Sequence, residues 1–195
     1  MLDTNIILIG PMAAGKTTQK DLLAEALGVP AVELDMLRWD YYAEIGYDKE
    51  KARQISREEG FDALLKYWKP FEVHAVQRIL QDYPSDHVIG FGAGHSVYDD
   101  PAQFEQVRTA LTPFPYVILL LPSADVTEST HILTERLRAE EPDMTDEDAK
   151  ETSAANRTFI ENPSNARLAK FTVYTKDKTP AETCAEIMAH IQPSI

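Results

Sequence analysis

Residues 10–17 read Gly-Pro-Met-Ala-Ala-Gly-Lys-Thr, a match to G-x-x-x-x-G-K-[ST], between the apolar run Ile6-Ile7-Leu8-Ile9 and an amphipathic helical pattern. A buried strand that feeds a glycine-rich loop and then a helix leaves few folds open, because such a loop must turn the chain tightly at one edge of a sheet. In this motif successive backbone N–H groups and the helix N-terminus point at phosphate oxygens. The expected contacts are Gly10, Ala13, Ala14, Gly15, Lys16, Thr17 and Thr18, with Lys16 as a point charge on the β/γ oxygens and Thr17 as a ligand to Mg²⁺. A strand-to-helix turn that binds nothing has no reason to keep Lys and Thr at its end. The motif therefore points to a nucleotide.

Four more apolar runs, at 31–34, 87–91, 116–121 and 171–174, join residues 5–9 as expected strands, with helical patterns between them. Alternating strand and helix gives an α/β fold with a mainly parallel sheet covered on both faces, three layers in all. The 195 residues, 44% hydrophobic, suit one α/β domain spanning residues 1–195. The first helix carries Leu22, Leu23, Ala26 and Leu27 on one side and should stop at Gly28. Ser56-Arg57-Glu58-Glu59 has the capping-box pattern and is expected to open a helical region reaching Gln81, broken at Gly60 and Pro70. Asp100-Pro101 and Thr179-Pro180-Ala181-Glu182 should start two further helices. Residues 140–150, dense in acids and carrying Pro142, read as an irregular stretch with Thr145 as a cap, either a mobile lid or a surface loop.

Composition removes several functions. A formal charge of −13 repels a nucleic-acid backbone, and no Lys/Arg run offsets it. No apolar segment reaches membrane-spanning length, and the N-terminal apolar run is only a strand long, which argues against a signal peptide. Cys184 is the only cysteine, so neither an internal disulfide nor a cysteine-built metal site is available, in keeping with a reducing, cytoplasmic setting. Oligomeric state leaves no mark on the sequence.

Phosphoryl transfer needs clamped phosphates, a metal, an oriented nucleophile and cations at the oxygens that gain charge. Glu33 and Asp35 leave the second strand at its carboxyl end, where an open parallel sheet places its ligands. Asp35 is the candidate for accepting or orienting a substrate hydroxyl proton, and Glu33 stands nearer the metal. Either could instead cap the following helix. Gly92-Ala93-Gly94 after the third strand allows close backbone approach to a substrate, with His95 as a second hydrogen-bonding group or base; a tight turn is the alternative. Arg136 and Arg138 lie on the helix entering the suspected lid, centred on residues 138–150, and Arg138 is favoured for the transferring phosphate. Lys176, Asp177 and Lys178, in the loop after the last strand, are expected to border the adenine, chiefly through backbone groups.

With these residues in place, the chain resembles the shikimate kinase family, a branch of the P-loop small-molecule kinases. The resemblance rests on the phosphate loop, on Glu33-Leu34-Asp35 where the family has two aspartates, on Gly92-Ala93-Gly94 where it has three glycines, on the Arg136–Pro142 lid region, and on the late segment 162–175. It implies a five-stranded parallel sheet, Mg-ATP as donor, a small-molecule hydroxyl as acceptor, and lid closure over both. The family grips a carboxylate with two arginines, where this chain has Phe71-Glu72 and Glu161-Asn162-Pro163. Acids there would repel a carboxylate, so shikimate is not the expected acceptor. Asp35, Glu72 and Glu161, with Trp39 nearby, would then line an acidic, aromatic pocket for a polyhydroxylated or amine-bearing acceptor; a shift of a few residues would leave both glutamates on the surface. Antibiotic-modifying phosphotransferases of the chloramphenicol kind share this fold. A nucleoside kinase, and a nucleotide-binding regulatory protein without phosphoryl transfer, remain as alternatives.

Overall fold

A computed structural model describes residues 4–191. Five strands, β1 (Ile6–Ile9), β2 (Ala31–Glu33), β3 (Val88–Gly90), β4 (Tyr116–Leu121) and β5 (Phe171–Tyr174), pair in parallel in the order β2-β3-β1-β4-β5. The helices are α1 (Lys16–Leu27), α2 (Leu34–Glu44), α3 (Lys49–Glu58), α4 (Phe61–Asp82), α5 (Pro101–Leu111), α6 (Val126–Glu140), α7 (Asp146–Glu161), α8 (Pro163–Leu168) and α9 (Pro180–His190). Period-two alternation sorts the central strands between two cores. Ile7, Ile9, Ile89, Phe91, Val117 and Leu119 pack under α2, α4 and α5, whereas Ile6, Leu8, Val88, Ile118 and Leu120 pack under α1, α6 and α9. This is the expected three-layer α/β/α arrangement. From β1 the chain goes out to β2 on one side and returns through β3, then crosses to β4 and β5 on the other side of β1, so the loop after β1 stands at the switch point where open parallel sheets bind ligands.

Local signals account for most helix ends. Gly28 takes the left-handed conformation (φ 66°) that closes α1, Asp100 caps α5, and Thr179 with Glu182 forms a complete capping box at α9. Buried Cys184 packs in the α9 face. Three expectations are corrected. Ser56 caps nothing, because it lies inside α3; Asp48 is the cap, accepting from the N–H groups of Glu50 and Lys51. Gly60 (φ 86°) breaks the helical region as expected, but Pro70 does not. Pro70 lies on the exposed side of α4, where water can satisfy the carbonyl it leaves unpaired, and the buried run from Phe71 to Leu80 holds the helix straight through. Finally, residues 140–150 are not irregular throughout. Thr145 caps α7 with a reciprocal bond to Asp148, so only residues 141–145 separate α6 from α7, which pack side by side as a helical hairpin.

Candidate functional site

The loop after β1 is shaped by its backbone. Gly10 (φ 138°) passes so close to β4 that a Cβ would lie 2.5 Å from the Leu120 carbonyl oxygen, and Gly15 (φ 92°) begins α1 without a side-chain cap. Ala13 is held at φ 57°, a conformation that favours glycine. The first N–H groups of α1 are thus left aimed at the loop, with no acidic residue in the first turn to compete for them. Lys16 is buried, and its Nζ donates to the carbonyls of Gly10 (2.9 Å) and Pro11 (2.7 Å). Burial pulls its pKa down to about 8, opposed by the charges of Asp35 and Glu33. Thr17 and Thr18 stand exposed at the start of α1, and Thr18 lines a cavity beside the loop.

The strand end after β3 explains its own glycines. Gly90, Gly92 and Gly94 alternate, and each receives a carboxylate from a different segment. A Cβ on Gly90 would stand 3.0 Å from both oxygens of Glu33, one on Gly92 would stand 2.2 Å from Oδ1 of Asp35, and one on Gly94 would stand 2.2 Å from Oε1 of Glu72. Gly92 has an ordinary φ of −64°, so space and not backbone conformation excludes a side chain there. Each carboxylate meets its own cation: Glu33 with Lys20 at 3.2 Å, Asp35 with Arg38 at 3.1 Å, and Glu72 with Lys69 at 2.6 Å. Lys69 also donates to the Gly94 carbonyl at 3.0 Å. Burial lifts the Glu33 pKa, with Lys20 offsetting only part of it. Burial depresses that of Lys20, yet Asp21 and Glu33 outweigh it and leave Lys20 raised.

Asp35 lies in the first turn of α2, because β2 stops at Glu33, one residue earlier than expected. Its side chain is 42% exposed, whereas Glu72 is buried. His95 is buried with Nδ1 4.0 Å from Asp35 and Nε2 3.3 Å from the Tyr42 hydroxyl, and burial lowers its pKa against the charges of Glu72 and Asp35. Tyr41 turns away to donate to Asp82. Trp39 lies beyond Arg38, whose guanidinium stacks 4.3 Å from its ring.

Three of the expected residues are not brought here. Glu161 ends α7 on the surface, paired with Arg157 at 2.9 Å, so the acidic trio is completed by Glu33 instead. Arg138 points outward to Asp146 at 2.8 Å, while Arg136 reaches the loop itself, donating to the Ala13 carbonyl at 3.3 Å and to Thr175 at 3.2 Å. Two positions along a helix are about 200° apart, so both arginines cannot face one site. Arg136 shares its stripe with Leu133 and Glu140, a signal the sequence did carry. Lys176 pairs with Glu128 on the surface. Lys178, in the same loop, lines a cavity of about 300 Å³ with Ala14, Gly15, Thr18, Arg136 and Thr175. Asn156 is a residue that sequence reasoning missed. Buried in α7, it accepts from the Met12 N–H at 2.9 Å and donates to the Met12 carbonyl at 3.3 Å, latching the helical hairpin onto the loop.

No family model matches the chain, and no curated protein matches it in sequence. Solved structures do match. Shikimate kinase from Acinetobacter baumannii in complex with shikimate is 20% identical with a TM-score of 0.64, over 96% of this chain and 92% of that one. A gluconokinase from Sinorhizobium meliloti 1021 is 16% identical with a TM-score of 0.59, over 96% and 90%. Shikimate kinase from Aquifex aeolicus is 18% identical with a TM-score of 0.57, over 95% of each chain. The chain has the shikimate kinase-like P-loop kinase fold. At this identity the likeness carries the fold, and the chemistry of the P-loop chain must be argued from its own residues.

Proposed function

We propose that the protein is a small-molecule kinase that transfers the γ-phosphate of ATP to an acceptor hydroxyl. The observation that carries this reading is the placement of Asp35, partly exposed on the bare backbone of Gly92 and near enough to Lys16 for the two charges to interact. Asp35 takes the proton of the hydroxyl as that oxygen bonds to the γ-phosphorus and the bond to the β-phosphate oxygen breaks, releasing ADP. Lys16 and the N–H groups at the start of α1 offset the charge that develops on the phosphate oxygens. Arg136 borders the same loop and replaces Arg138 as the hairpin's contribution. Arg38, donating to Asp35 at 3.1 Å, holds the carboxylate in place, with buried His95 4.0 Å away on its other side.

The Thr17 hydroxyl and the carboxylates of Glu33 and Asp35 are hard oxygen donors of the type Mg²⁺ takes, and a magnesium site completed by phosphates needs only one or two of them. Thr17 would hold the ion, with Glu33 in reach through water. When bound, Mg²⁺ neutralises phosphate charge. The acceptor differs from shikimate in this reading, because Glu72 stands where a carboxylate-binding arginine would be expected and is already paired with Lys69.

The test is ADP release with Mg-ATP over a panel of hydroxylated acids, sugars, cyclitols and nucleosides, with Lys16→Ala and Asp35→Asn as controls. Stimulation by an acceptor that both variants abolish is the expected result. ATP binding without release by any acceptor would replace the kinase with a nucleotide-binding protein.

A further inference from the structure

The cavity of about 300 Å³ beside the phosphate loop is lined by Gly15 and Thr18 on one side and by Pro180 and Thr183 of α9 on another, and Gln19, in the first turn of α1, belongs to its wall. Gln19 is buried, 3% exposed, although the adjacent Thr17 and Thr18 are open. Its Nε2 donates to the Pro180 carbonyl at 2.9 Å where α1 packs against α9. A carbonyl only accepts, so the amide cannot flip without setting two oxygens against each other. The other end of the amide, Oε1, is thereby fixed as an acceptor, and it is buried with no hydrogen-bond partner. Buried acceptors are paired as a rule, because one left unpaired has given up water and gained nothing.

The donors around the cavity are turned to partners in the protein. Arg136 donates to the Ala13 carbonyl and the Thr175 hydroxyl, Lys178 donates to the Tyr174 carbonyl and pairs with Glu186, and the Thr183 hydroxyl donates to the Thr179 carbonyl at 3.1 Å. Glu140, exposed at the end of α6, brings a second acceptor to the same wall. Such a wall suits a ligand edge that donates. With the phosphates held at the loop and the start of α1, the part of a nucleotide left to reach Gln19 is the base. An exocyclic amine on a purine is a neutral donor of the kind Oε1 lacks, and a purine with hydrogen at that position leaves the oxygen unpaired. A site that hydrogen-bonds a group discriminates strongly against the analogue without it.

We propose that Gln19 reads the base of the bound nucleotide, with Oε1 accepting from the exocyclic amine of adenine and the Pro180 carbonyl holding the amide in that orientation. The inference rests on the nucleotide donor of the kinase reading above and deepens it, because a loop that grips phosphates is blind to the base. Gln19 is a specificity residue and takes no part in phosphoryl transfer.

Calorimetric titration tests this without any acceptor. The probes, each with Mg²⁺, are ATP, the triphosphate of purine riboside, which has hydrogen where ATP has its exocyclic amine, and inorganic tripolyphosphate, which has no base. The wild type should bind ATP about tenfold more tightly than the purine riboside triphosphate. Gln19→Met keeps the length of the side chain and removes the amide, so it should bring ATP to the level of the analogue and leave tripolyphosphate unchanged. Gln19→Leu, tested beside it, should behave the same way. Equal binding of ATP and the analogue by the wild type overturns the inference, whatever the variants do, and leaves the kinase reading standing. Parallel loss of ATP and tripolyphosphate in variants with the circular dichroism of the wild type also overturns it, since Gln19 would then support the loop and not read the base. A wild type that binds neither ATP nor tripolyphosphate removes the nucleotide, and both readings fall together.

Discussion

The proposed donor side and the proposed acceptor side of this site are built in different ways. The donor side is one run of the chain, residues 10–18, and its shape comes from backbone conformation: two glycines and Ala13 at positive φ, then a helix start left uncapped. The acceptor side is assembled from β2, α2, α4 and the turn after β3, and its shape comes from side chains that lean onto bare backbone at Gly90, Gly92 and Gly94. A backbone-built site survives changes elsewhere in the chain, because its geometry is local. A site built from distant side chains can be retuned by a single charge, such as that of Lys69 beside Glu72.

Changes confined to one side should leave the other intact, and four substitutions or titrations can break that separation. The largest effect is expected for Gly92→Ala. The new Cβ would fall 2.2 Å from Asp35 Oδ1, and the short side chain can swing aside at small cost in stability. Turnover should drop about 100-fold from misplacement of the carboxylate, with ATP affinity and melting temperature nearly unchanged. Next comes Asn156→Leu, which strips the Met12 N–H and carbonyl of their partner; a loss of about 1–3 kcal/mol in denaturant unfolding is expected, together with weaker ATP binding. The third is a pH titration of ATP affinity. Lys16 is charged below its depressed pKa of about 8 and neutral above it, so attraction for the triphosphate is present at neutral pH and lost as pH rises through that value. Affinity should fall about tenfold across that range in the wild type and stay flat in Lys16→Ala. The smallest is Ala13→Gly, which removes a side chain from a residue at φ 57°. Because glycine is also freer in the unfolded chain, the net gain should be under about 1 kcal/mol, seen as a slightly higher melting temperature.

The same contrast decides which features are legible in the sequence. The strands at β4 and β5 match their expected bounds, and the helix caps at Gly28, Asp100 and Thr179 hold, since each depends on neighbours in sequence. Asp35 and Glu33 are legible as groups at the strand end. The meaning of the glycines at 90, 92 and 94 is not, because their spacing shows in the chain but the carboxylates that need the space come from residues 33, 35 and 72. A family pattern puts Glu161 in the pocket by position alone, whereas α7 runs on to Glu161 and leaves it on the surface beside Arg157. Asn156 leaves no trace at all, since a buried asparagine in a polar helix looks like any exposed one until its partner at Met12 is known.

The central claim is that Asp35 performs chemistry on the acceptor and takes no part in holding the nucleotide. Calorimetric titration of Mg-ATP into the wild type and Asp35→Asn, each paired with single-turnover ADP release on an acceptor found active, tests it most directly. Equal ATP affinity with turnover lowered by about 100-fold or more is the predicted result. An Asp35→Asn protein that loses ATP affinity and turnover in parallel, or keeps its turnover, would contradict it.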